Sequence, residues 1–113
     1  MNKRVLLGKL KRFAQVEEKK LYNKSIPVKD MTFTNLRDSL LGLGKILDED
    51  FDRNIYVINV PAGLGNMNAA MVATQLNGRF VDCLAYSKEG IINQHTAEKA
   101  VAKIKKRLKK YTD

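Results

Sequence analysis

Tryptophan is absent from this chain, and cysteine and histidine each occur once. A single thiol, Cys83, excludes an internal disulfide and fits a reducing compartment. Its place in an apolar run reads as a buried structural thiol. A single histidine, His95, excludes a zinc site built from several imidazoles of one chain. Aromatic residues make up only 7% of the chain, and Tyr22 and Tyr111 are the obvious ones for stacking on bases. Long apolar runs are lacking too, since none approaches the roughly 20 residues needed to span a bilayer. The Val5-Leu6-Leu7-Gly8 run behind Lys3 and Arg4 is too short for the apolar core of a signal peptide. The expected location is therefore the cytoplasm.

What is there points to an ordinary folded chain. Its 113 residues suit one domain, 1–113, with one modest core. With 44% hydrophobic and 29% charged residues it is neither disordered nor fibrous. The net charge of +9 is the main deviation. It favours an acidic partner, whether nucleic acid, anionic membrane or acidic protein, without choosing among them.

The spacing of Leu6, Leu10, Phe13 and Val16 predicts a first helix over 3–23. Ile26-Pro27 then opens an extended connection, because the residue before proline avoids the helical region. Val28–Phe33 is a candidate short strand. Thr34 is the expected N-cap of a second helix that carries Leu36, Leu40, Leu43 and Leu47 on one face. Gly42 and Gly44 inside it mark either an early helix end or a close approach to another backbone. The acidic cluster Asp48–Asp52 reads as a loop.

Ile55–Val60 reads as a strand that breaks at Pro61–Gly65 and resumes as a third helix, 66–76, with Met67, Ala70, Met71 and Thr74 inward. Asn77-Gly78 is a turn, and Arg79–Tyr86 a second firm strand. After Ser87–Gly90 a last helix runs over 96–111, with Ala97, Val101, Ile104, Leu108 and Tyr111 as its apolar stripe. Both firm strands are apolar on both faces, as in a βαβ unit. The expected fold is helix-rich α/β: a two- or three-stranded sheet with a βαβ crossover, flanked by about four helices. So narrow a sheet is marginal alone, which favours a homodimer paired through its edges.

Four constellations are candidates for chemistry. Gly63 and Gly65 open a dinucleotide fingerprint, but the third position is Asn68 and no acidic residue follows at the required distance. The turn is read either as backbone geometry with Asn66 as helix cap, or as an amide cradle for an anion at Gly63, Leu64, Gly65 and Asn66. Gly44-Lys45 precedes Ile46, so it is no Walker A loop. Asp48, Asp50 and Asp52 match the start of a calcium loop, yet Arg53 replaces its glycine and Asn59 its closing glutamate. The cluster reads better as a solvated loop or as counter-charge for the basic helices. His95 lacks a partnered nucleophile, and Ser25, Ser39 and Ser87 lie in no nucleophile motif, so a surface or capping role is expected.

The last constellation is the most extensive. Lys99, Lys103, Lys105, Lys106, Arg107, Lys109 and Lys110 flank the stripe of the last helix. The first helix adds Lys3, Arg4, Lys9, Lys11, Arg12, Lys19 and Lys20. Were both on one side they would form a continuous positive face able to neutralise several phosphates. Lys99, Lys103, Lys106, Arg107, Lys110, Lys9 and Arg12 are the expected contacts. The competing reading is a solvated lysine face, since lysine outnumbers arginine and lacks its bidentate fork. The expected function is non-enzymatic binding of nucleic acid or another acidic partner, without cofactor or metal. The alternatives are a phosphate or nucleotide site at Gly63–Asn66, or an adaptor subunit docking through a sheet edge or the Met67–Met71 surface.

Overall fold

The chain from Ile55 to Tyr86 folds back and forth rather than crossing over. The computed structural model describes residues 1–89 and 93–112, so Gly90 of the loop expected before the last helix lies outside the described residues. Strand β3 (Ile55–Ala62) turns directly into β4 (Asn68–Asn77), and β4 into β5 (Phe80–Tyr86), all antiparallel. The region expected to be a third helix is thus the central strand of the sheet. Its alanines and methionines suit a helix locally, but pairing with a neighbour on each side satisfies its backbone groups as a strand.

Two further strands complete the sheet. β1 (Tyr22–Pro27) pairs with β5, and β2 (Lys45–Asp50) pairs with β3, giving the order β1-β5-β4-β3-β2. The described residues therefore hold a five-stranded antiparallel sheet and three α helices, not a narrow βαβ sheet with four helices. The strand lies at 22–27 rather than 28–33, and the acidic cluster begins in β2 rather than in a loop. Five strands also remove the reason for completing the sheet with a second copy.

Helix α1 (Lys3–Lys11) is shorter than its periodicity predicts. Leu6 and Leu10 are buried, whereas Phe13 is 41% exposed, and the chain leaves the helix before Tyr22 begins to alternate in and out along β1. Helix α2 (Phe33–Leu40) is capped by Thr32, not Thr34: the Thr32 hydroxyl accepts from the Asn35 N–H, and the Asn35 side chain accepts from the Thr32 N–H. The helix ends before Gly42, and Leu47 belongs to β2. Helix α3 (Thr96–Arg107) buries Ala97, Val101 and Ile104 of the expected stripe, and Ala100 with them, but ends at Arg107 rather than at 111, leaving Tyr111 in a following 3₁₀ turn.

The helices cover opposite faces of the sheet. Tyr56, Ile58, Val60, Val72, Val81, Cys83 and Ala85 point to the face under α2 and α3. Ile55, Val57, Ala73, Leu84 and Tyr86 point to the face under α1. Coverage on both sides explains why β3 and β5 carry apolar residues on both faces, although the pairing is antiparallel.

Tyr56 is fully buried and stacks on Phe33 with ring centroids 4.2 Å apart. Its hydroxyl finds no hydrogen-bond partner among the described residues, and burial pushes its pKa up. Tyr56→Phe keeps the stack and removes a desolvated hydroxyl. It is expected to raise stability by about 1 kcal/mol, measured by denaturant unfolding.

Candidate nucleic-acid interface

Helix α3 starts where a carboxylate takes the place of an N-cap side chain. Glu89 accepts the N–H of Thr96 at 2.7 Å and of Gln94 at 2.9 Å. Burial opposes its ionisation, but the hydroxyl and N–H of Thr96 and the N–H of Gln94 outweigh it and hold the carboxyl below the usual glutamate range. A carboxyl lowered in the folded state stabilises above its ordinary pKa, and that contribution is lost as pH falls through the lowered value. Glu89→Ala is accordingly expected to cost about 1 kcal/mol at neutral pH. Thermal melts of both proteins should converge in acid.

The apolar stripe fixes which side of α3 faces out. At 100° per residue, Lys99, Lys103 and Lys106 fall within about 60° of one another, over about 10 Å of axis. Duplex DNA presents about six charges along that length. Lys109 and Lys110 continue into the 3₁₀ turn Lys109–Tyr111, with Lys110 lying 5.3 Å from the Tyr111 ring centroid.

Two of these cations are pinned. Lys103 donates to the Pro61 carbonyl and to the Asn66 side-chain oxygen, each at 2.6 Å. Arg107 donates to the carbonyls of Ser39 and Leu41 at 3.3 and 2.9 Å, serving the open C-terminal end of α2. All four acceptors are neutral, so both charges survive. Among the described residues, no ion pair joins Lys99, Lys103, Lys105, Lys106, Arg107, Lys109 or Lys110 to a carboxylate.

The first helix behaves differently. It lies across the sheet from α3, so the expected merger of the two basic helices into one face does not form. Asp48 and Asp50 point from β2 toward α1, and Lys9 meets both at 2.9 Å while Arg12 reaches Asp48 at 3.8 Å. Burial works against the Lys9 charge, but hydrogen bonds to Asp50 and Asp48 prevail and raise its pKa. The hydrogen bond from Lys9, opposed by burial and helped by the Arg53 N–H, holds Asp50 below the usual carboxylate range. Asp48 and Asp50 are thus counter-charge for α1, on a strand rather than in a calcium loop, while Glu49 between them pairs with Arg37 of α2 at 3.6 Å.

The glycine turn joins two strands of a hairpin instead of feeding a helix. Gly63 and Gly65 have φ of +83° and +60°, and Asn66 shares this left-handed region. Leu64 N–H donates to Gln94 Oε1 at 3.1 Å, Asn66 N–H to the Gly63 carbonyl at 3.4 Å, and Met67 N–H to the Leu64 carbonyl at 3.1 Å. A side chain at Gly63 would meet Gln94 Oε1 at 2.7 Å. These glycines serve the hairpin, and three of its amides are already engaged. The tip leaves Leu64 62% and Met67 90% exposed.

Beside the start of α3 is a cavity of about 360 Å³ lined in part by Lys19, Tyr22, Ser87, Glu89, His95 and Glu98. His95 pairs with Glu98 at 3.2 Å in solvent, and Ser87 donates to the Ala69 carbonyl rather than to His95. Cys83 is buried in β5, where burial, with Asp82 beside it, pushes its thiol up to about 12. Asp82, also buried, accepts from Ser25 at 2.6 Å and from Asn77 at 3.4 Å. No helix among the described residues is long and apolar enough to cross a membrane.

The sequence alone does not reveal the capping by Glu89, which reaches back to the helix from seven residues before Thr96 rather than from the adjoining N-cap position, nor the brace of Gln94 on the hairpin, 30 residues away in the chain. Comparison with protein-family models, with curated proteins and with solved structures finds no match to this chain.

Proposed function

We propose that the protein binds nucleic acid through the outer face of α3, without sequence-specific reading. The observation that supports this is the row Lys99–Lys103–Lys106, continued by Lys110, whose charges meet no carboxylate among the described residues. Pinning Lys103 and Arg107 on neutral carbonyls keeps two cations in place before any partner arrives. Backbone phosphates would supply the affinity, and lysine rather than arginine suits point-charge contact over base recognition. Cytoplasmic location belongs to the same reading and rests on the lone cysteine. Gel-shift titrations with DNA and RNA at about 50 and 200 mM salt test it. Steep weakening with salt is expected; absent or salt-insensitive retention overturns it.

A second reading, an adaptor subunit, is favoured by the braced hairpin tip that presents Met67 and Leu64 to solvent. A Met67→Glu/Leu64→Glu variant should then lose a protein that co-purifies with the wild type, while nucleic-acid retention is unchanged.

A further inference from the structure

On the side of the sheet away from α3, arginines rather than lysines gather around a glycine. Arg4, Gly8 and Arg12 follow one another at four-residue steps, so they form one stripe along α1, about 12 Å from end to end. Gly8 sits mid-helix, where glycine is disfavoured. Packing does not call for it: a Cβ built there meets nothing within 4 Å. The missing side chain leaves the floor of a groove open between the two arginines.

Arg53 closes that groove from the turn between β2 and β3. Its N–H donates to Asp50 at 3.1 Å and its carbonyl accepts from Gln75 at 3.0 Å, so its backbone is fixed on both sides. The groove is open to solvent, has a volume of about 380 Å³ and is lined by Arg4, Val5, Gly8, Lys9, Arg12 and Arg53, with no carboxylate on its wall. Asp48 and Asp50 take up the Lys9 charge beneath it. Arg12 pairs with Asp48 alone, at 3.8 Å, and lies 5.8 Å from the Phe13 ring centroid, while Arg4 and Arg53 form no ion pair among the described residues. Four cations against two carboxylates leave the groove positive.

We propose that this groove is a separate anion site that holds linked phosphates, as in a free oligophosphate or the phosphate chain of a nucleotide. Guanidinium forks grip phosphate oxygens bidentately, which an ammonium does not. The volume suits a small ligand, and the bare backbone at Gly8 lets a phosphate approach between the forks. The site is independent of the α3 face.

Titration calorimetry with inorganic tripolyphosphate and with ATP, at constant ionic strength, tests the assignment. One-to-one binding is expected, with ATP tighter than tripolyphosphate only if its base or sugar also touches the protein. Arg4→Lys/Arg53→Lys preserves charge and removes two of the three forks, leaving Arg12; affinity should fall at least about tenfold. Gly8→Leu fills the floor at unchanged charge and should weaken binding without lowering the melting temperature. Lys99→Ala/Lys106→Ala should bind as the wild type does. No binding at millimolar ligand, equal affinity for sulfate, or undiminished affinity in the Arg4→Lys/Arg53→Lys and Gly8→Leu variants would overturn the proposal.

Discussion

Gly44→Ala is expected to lower stability by about 3 kcal/mol or more. Gly44 stands just before β2, where the chain comes against β3. A Cβ there would press on the Asn59 carbonyl oxygen, 2.9 Å from its carbon and 3.1 Å from the Val60 Cα. Every one of these atoms is backbone in a strand already paired with β4, so nothing yields as a side chain would. Relief requires β2 to move away from β3. That shift also loosens Lys9 from Asp48 and Asp50, and Arg37 from Glu49. At roughly 4 °C per kcal/mol for a chain of this size, the melting temperature should fall by about 10 °C or more. Thermal and denaturant melts of the purified variant measure it directly.

The second large effect concerns binding rather than folding. Lys99→Ala/Lys106→Ala/Lys110→Ala removes three exposed cations that carry no ion pair among the described residues. If α3 faces phosphates, the plot of log affinity against log salt should flatten by roughly three. Affinity at low salt should drop by up to roughly a hundredfold, at about 1 kcal/mol per contact. Lys9→Ala is the informative control. Its charge is already engaged by Asp48 and Asp50, so nucleic-acid affinity should not change. Stability should fall instead, because two carboxylates on one strand lose their shared cation. Equal loss of binding in both variants would mean that net charge, not the α3 face, governs retention.

Some elements were legible because their pattern is complete within a few residues. The Ala97, Val101, Ile104 and Leu108 stripe matches one helical face, and α3 buries those residues. Continuous apolar runs marked β3 and β5. Asn68–Asn77 was not legible, since Ala70, Met71 and Thr74 fit a helical face as well as they fit alternate sides of a strand. Only β3 and β5, closing on either side of it, decide the matter. Tyr22–Pro27 was lost for the same reason: its partner strand begins more than fifty residues later in the chain.

By itself, then, the sequence determined the size of the positive surplus, the single thiol, two of the strands and the cationic side of the last helix. Tertiary structure alone decided that the two basic helices lie back to back across a sheet, with Asp48 and Asp50 engaging Lys9 of one while the lysines of the other meet no carboxylate among the described residues. The division has a physical cause. Periodicity and charge are properties of neighbouring residues, whereas strand pairing and counter-charge depend on which distant segments share a face.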